Sequence, residues 1–308
     1  MPLSERYKKQ AALLIELMPF VAIERDFALK GGTAINLFVR EMPRLSVDID
    51  LTYLPVALRP ESLAAIDASM KRMAAAIRDG VTGARVNEVT NAREQIVTKL
   101  TVQTRDAQIK IEVTPVIRGC VFSPEMRAVP AVVEDTIGYA EIQVVSFADL
   151  YAGKIVAALD RQHPRDLFDI HVLLANEGIT DKLRQAFIVY LISHDRPISE
   201  VLVPRRKEIS AEFAQSFEGM TVEPVNLDTL LAAREELIGT VVFDMPEAHK
   251  QFLIGFKRGT PDWNLLGIPE ASELPAVKWK QLNLEKLTSE ARAQLVRRLE
   301  KVLQEQRN

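Results

Sequence analysis

The chain has 308 residues with 39 Lys and Arg against 42 Asp and Glu, a formal net charge of −3, which excludes a strongly basic nucleic-acid binder and leaves only local basic patches. With 47 % hydrophobic and 26 % charged residues, 13 Gly and 16 Pro, the composition is globular, sufficient for one large domain or two modest ones, and neither disordered, collagenous nor low in complexity. Cys120 is the only cysteine, so an internal disulfide framework and a Cys-rich zinc scaffold are excluded and a reducing, cytoplasmic setting is expected.

Residues 1–9 show no basic stretch leading into a long apolar run, so neither a secretory signal nor a membrane span is expected. Residues 5–20 place Ala11, Leu14, Ile15 and Met18 at helical spacing and are followed by a short apolar strand ending at Lys30. Gly31-Gly32-Thr33 then interrupts, and residues 34–40 read as a helix with Thr33 as its cap. After Pro43, residues 45–53 alternate as a strand, residues 62–78 return to helical periodicity, a strand follows at 81–89, and residues 95–118 read as two strands joined near Arg105-Asp106.

From Ser146 the pattern turns helical, at 146–160, 165–176, 181–193, 226–239, 246–258 and 288–305. The expected organisation is therefore an α/β (α+β) core with a mixed sheet over residues 1–145, followed by a mostly helical domain over 146–308.

The chemistry concentrates around Asp48-Ile49-Asp50-Leu51. On a strand the period of two puts both carboxylates on one face while Ile49 and Leu51 point to the core. Like charges side by side repel unless a cation sits between them, and oxygen donors suit a hard divalent ion such as magnesium. Upstream, Lys30-Gly31-Gly32-Thr33 offers backbone N–H groups and a helix start to a phosphate. Glu112, between Ile111 and Val113, is the candidate third carboxylate from a neighbouring strand. The alternatives stay open: Asp-x-Asp also marks solvated strand ends, Gly-Gly also makes plain tight turns, and Glu112 also reads as an exposed strand charge.

Ser46 lies two residues before Asp48, so on the same strand its hydroxyl faces the metal site. A phosphate or nucleotide added there would put negative charge where a triphosphate binds.

These residues carry a family resemblance. Lys30-Gly31-Gly32-Thr33-Ala34-Ile35, Arg44-Leu45-Ser46-Val47-Asp48-Ile49-Asp50, Lys154 and Arg165-Asp166-Leu167-Phe168-Asp169 together resemble the AbiEii-type nucleotidyltransferases, toxins of AbiE-like toxin–antitoxin and phage-defence systems. The resemblance spans about residues 25–176. It implies a minimal core of the polymerase-beta type, in which Gly31, Gly32 and Thr33 hold triphosphate and Asp48 and Asp50 bind magnesium. It further implies transfer of a nucleoside monophosphate from an NTP to RNA, with the tRNA 3′ end as acceptor, growth arrest as the result, and a cognate antitoxin of AbiEi type that need not make a stable contact. Residues 34–47, between Thr33 and Asp48, form a longer spacer than the superfamily's, which is expected to lengthen the helix or its exit loop.

Lys154 has no charged residue at i±3 or i±4 on its helix. It reads as a cation for the triphosphate or as a lysine snorkelling at a helix interface. Asp166 and Asp169 share a helix face. Asp166 stands in the first turn after Pro164, where the helix dipole alone accounts for it, whereas Asp169 is the candidate to orient Lys154, with Arg165 placed to pair with it. Arg44 is a further candidate from the same motif.

Arg205-Arg206-Lys207, Lys257-Arg258 and Lys278-Trp279-Lys280 are local basic clusters that read as RNA contacts or as solvated surface. Two rival readings share the core residues: a nucleotidyltransferase acting on a small molecule or protein side chain, and an NTP-binding regulator without turnover.

Overall fold

The computed structural model describes residues 5–304, apart from the side chain of Arg6. The chain packs as two compact units, one running to Ser146 and taking in Gly219–Glu223, the other made of Phe147–Glu218 and the chain from Pro224 on.

The first unit opens with helix α1 (Glu5–Ala22), whose buried Ala11, Leu14, Leu17, Met18 and Val21 follow the helical period. Strand β1 (Phe27–Lys30) leads directly into α2 (Gly31–Thr33), which continues as a π-helix over Ala34–Val39. Strand β2 (Ile49–Tyr53), helix α3 (Arg59–Gly80) and strands β3 (Arg85–Thr90), β4 (Val97–Gln103) and β5 (Gln108–Val113) follow. Strand β6 (Glu125–Ala128), helix α4 (Ala131–Ile137) and strand β7 (Glu141–Val144) close the unit.

The strands form one mixed sheet in the order β3-β4-β5-β2-β1-β7-β6, with β2 parallel to β5, β1 parallel to β7 and the other neighbours antiparallel. Three local expectations need correction. The helix after the glycines starts at Gly31 with Lys30 at its N-cap, so Thr33 lies inside it and makes no cap bond. Strand β2 starts at Ile49 instead of residue 45, because Pro43–Leu45 pair elsewhere: Leu45 N–H donates to the Met220 carbonyl (3.0 Å), Val222 N–H to the Pro43 carbonyl (3.0 Å), and Arg44 bridges Thr221. Strand β3 starts at Arg85, later than residue 81.

The second unit is helical, and no strand occurs among its described residues. It comprises α5 (Phe147–Arg161), α6 (Pro164–Asn176), α7 (Asp181–Ser193), α8 (Ile198–Leu202), α9 (Ser210–Ser216) and α10 (Leu227–Ile238), which continues as a π-helix to Phe243. Helices α11 (Glu247–Arg258), α12 (Pro275–Glu285) and α13 (Ser289–Gln304) complete it. His163 caps α6, its Nδ1 accepting from Arg165 N–H at 3.1 Å. Tyr151, Phe187, Phe252 and Phe256 are among its largest fully buried side chains. No helix among the described residues is long and apolar enough to cross a membrane.

Candidate active site

Register in the sheet assembles the acidic site. Asp50 on β2 lies directly opposite Glu112 on the parallel strand β5 and opposite Lys30 on the antiparallel strand β1. Asp48, just ahead of β2, is exposed; Asp50 and Glu112 are partly buried. Strand alternation buries Ile49 and Leu51 completely.

Glu112 also receives Lys99, its cross-strand partner on β4, at 2.6 Å. Among the described residues no three His, Cys, Asp or Glu side chains converge as a metal-binding group. The carboxylates nonetheless fit a hard divalent ion in donor type, and two of them, Asp50 and Glu112, in strand register.

The glycine turn is built against this site. Gly31 has φ +77, and a Cβ there would meet Asp50 Oδ2 at 2.5 Å, so only glycine fits between the helix start and the carboxylate. A Cβ on Gly32 would meet Ser46 Oγ at 2.8 Å and Arg44 Nη2 at 2.9 Å. Thr33 Oγ1 donates to Ser46 Oγ (3.2 Å). Ser46 therefore reaches the turn from an irregular segment, without the strand that its spacing suggested. Asn36 Nδ2 donates to the Gly32 carbonyl (2.8 Å), one turn back along the helix where it widens into the π-turn.

Buried Arg44 donates to the Leu45 carbonyl (2.8 Å), and Ser46 N–H donates to the Tyr7 hydroxyl (3.4 Å). Burial pushes the Tyr7 hydroxyl above its ordinary pKa, against opposing pulls from Ser46 N–H and Arg44. Burial likewise lowers the Lys30 ammonium, while Asp50 and Cys120 pull it back up. The helix start thus presents backbone donors and basic side chains beside the partly buried Asp50 carboxylate, an arrangement suited to a phosphate next to a metal.

In the second unit, Lys154 is buried and its Nζ lies 2.9 Å from both Asp166 Oδ1 and Asp169 Oδ2. It is therefore not a snorkelling rim lysine. Asp166 also accepts from Arg161 Nε (2.8 Å) and Nη2 (3.1 Å). Burial alone would raise the Asp166 carboxyl, but Lys154 and Arg161 outweigh it and hold it below the ordinary carboxylate value. Asp166 consequently does more than face a helix dipole. Arg165 leaves Asp169 to Lys154, and its buried Nε has no hydrogen-bond partner.

Sequence reasoning missed Lys99, Arg161 and Tyr7. Lys99 alternates with buried Leu100, which exposes it on its strand but does not say which acid lies opposite. The basic clusters are largely committed. Arg206 pairs with Glu235 (2.7 Å), Lys207 Nζ donates to the Asp160 carbonyl (3.1 Å), Lys278 pairs with Glu273 (2.6 Å), and Lys280 donates to the His194 carbonyl.

The chain matches, over residues 12–281, the family described as "Nucleotidyl transferase AbiEii toxin, Type IV TA system". Among solved structures it is similar to MenT4, a nucleotidyltransferase toxin from Mycobacterium tuberculosis H37Rv, with a TM-score of 0.58 and 16% identity over 90% of this chain and 94% of that one. At this identity the likeness concerns the fold. No curated protein sequence matches the chain.

Proposed function

The chain belongs to the AbiEii nucleotidyl transferase toxin family of type IV toxin–antitoxin systems, and from that premise we propose a magnesium-dependent, cytoplasmic enzyme that moves a nucleoside monophosphate from an NTP to the 3′ end of tRNA. The acceptor hydroxyl oxygen bonds to the α-phosphorus, the bond to the bridging oxygen breaks, pyrophosphate leaves and the hydroxyl proton is released. The observation that supports this reading best is the pairing of Asp50 with Glu112 across β2 and β5 beside the glycine turn.

Asp48, Asp50 and Glu112 would hold the divalent ion, which when bound supplies positive charge to the acceptor oxygen and the phosphates. Gly31 and Gly32 admit phosphate oxygens to the helix start, with Thr33, Ser46, Lys30 and Arg44 around them. Lys154, steadied by Asp166 and Asp169, is the cation that we assign to the reaction from the helical unit. The antitoxin is of AbiEi type and need not make a stable contact.

Purified protein is incubated with total tRNA, magnesium and each labelled NTP in turn, beside an Asp48→Ala/Asp50→Ala variant. Label at the tRNA 3′ end, absent with the variant, is the expected result. Label on a small molecule or protein instead reassigns the acceptor, and tight NTP binding with no pyrophosphate release makes the protein a regulator.

A further inference from the structure

The helical unit carries an open cleft of about 440 Å³ where the end of α11 meets α13. Arg258, Ser289, Arg292, Arg297 and Glu300 supply its polar lining. On α13 these residues recur at helical spacing, so one face of the helix presents them together.

The charges do not cancel. Glu300 is paired with Arg258 at 2.6 Å. Arg292 donates to two backbone carbonyls, Leu284 (2.7 Å) and Arg258 (3.3 Å), and its buried Nε has no hydrogen-bond partner. Carbonyls at the ends of α11 and α12 orient that guanidinium without neutralising it. Arg297 is exposed and forms no ion pair among the described contacts. Three guanidinium groups thus share one carboxylate, on a protein whose net charge is −3. Planar guanidinium donors match pairs of phosphate oxygens. By contrast, the other basic clusters are occupied by acids and carbonyls.

We propose that this cleft grips backbone phosphates of the RNA acceptor, with Arg258 and Arg297 as the contacting side chains and Arg292 as their fixed support. The proposal rests on the RNA-acceptor reading above and adds a location to it. Four of the five polar lining residues lie at 289–300, past the end of the family match at residue 281, and the fifth, Arg258, lies within it on α11.

The test measures affinity for total tRNA across a salt series, together with label transfer, for the wild type, Arg297→Ala, Arg258→Ala/Arg297→Ala and Glu300→Gln. Thermal unfolding verifies the fold of each. The double variant is expected to lose roughly tenfold in affinity and about 1.5–2 units of the slope of log K against log salt. Glu300→Gln, which releases Arg258, is expected to tighten binding by roughly two- to fivefold.

Label transfer to tRNA with affinities and slopes unchanged in these variants overturns the cleft and leaves the transfer reading standing. Cleft-dependent tRNA binding without transfer supports the cleft and removes the tRNA transfer reading. Neither binding nor transfer by the wild type overturns both.

Discussion

Asp50 and Glu112 on the sheet and Asp166 and Asp169 on α6 are both acid pairs placed side by side, yet their surroundings differ. Glu112 keeps a side chain 42% exposed and meets the cation Lys99, and solvent-exposed Asp48 lies two residues before Asp50. Asp166 and Asp169 are 2% and 1% exposed and share the buried ammonium of Lys154, with Arg161 added on Asp166. Acids left open to water keep capacity for an incoming cation, whereas acids enclosed with their cation fix the geometry of two helices. Lys257 adds a third case, a buried ammonium whose charged neighbour is Lys280.

The largest effect should come from the open site. Asp48→Ala/Asp50→Ala is expected to lower nucleotide transfer by at least about a thousandfold, since metal-held charge stabilisation is worth several kcal/mol. Its melting temperature should fall less than that of a variant in the fully buried Lys154 cluster, Asp50 being the charge that faces Lys30 on β1. A collapse in stability would place these acids with the buried pair instead.

Next is Lys154→Met, which takes the buried ammonium from Asp169, leaves Asp166 to Arg161 alone and should cost about 3–5 kcal/mol in denaturant unfolding. Lys154→Met/Asp166→Asn/Asp169→Asn removes the charges together and should recover most of that loss. Transfer absent in this refolded variant assigns Lys154 to the chemistry; transfer retained reduces it to holding α5 against α6. Because Asp166 is held below the ordinary carboxylate value of 3.8, its stabilisation is present above that value and is lost as pH falls through the lower folded one. An acid titration of Asp166→Asn should be flatter in that range.

Burial, with Lys280 adding repulsion, lowers the Lys257 ammonium to about 8 from 10.5. Between those values the unfolded chain holds more protons, so wild-type stability should rise with pH there. Lys257→Met should stabilise the protein by up to about 3 kcal/mol near pH 7 and lose this advantage by about pH 10.5. The smallest effect is Lys99→Met. Removing the partly exposed competitor of Glu112 should lower the magnesium concentration for half-maximal transfer by about threefold, in keeping with a pair worth under about 1 kcal/mol.

Local spacing alone determined much of this protein. Asp48, Ile49 and Asp50 announced two acids flanking a core residue, Gly31 and Gly32 announced a turn before a helix, and long periodic runs announced α1, α3, α5, α6, α7, α11 and α13. Strand β6 escaped because its four residues, Glu125–Ala128, bury no alternating face, and β3 was misplaced because only Val86 in it is buried. Tertiary structure decided the rest. Asp50 meets Glu112 across a parallel register, Lys99 arrives on the next strand, residues 220–222 capture Pro43–Leu45 and shorten β2, and Lys154 finds both acids of the following helix. A side chain's face follows from neighbours two to four residues away. Its partner across a sheet or between helices depends on how distant segments bury their apolar faces together, which no local period encodes.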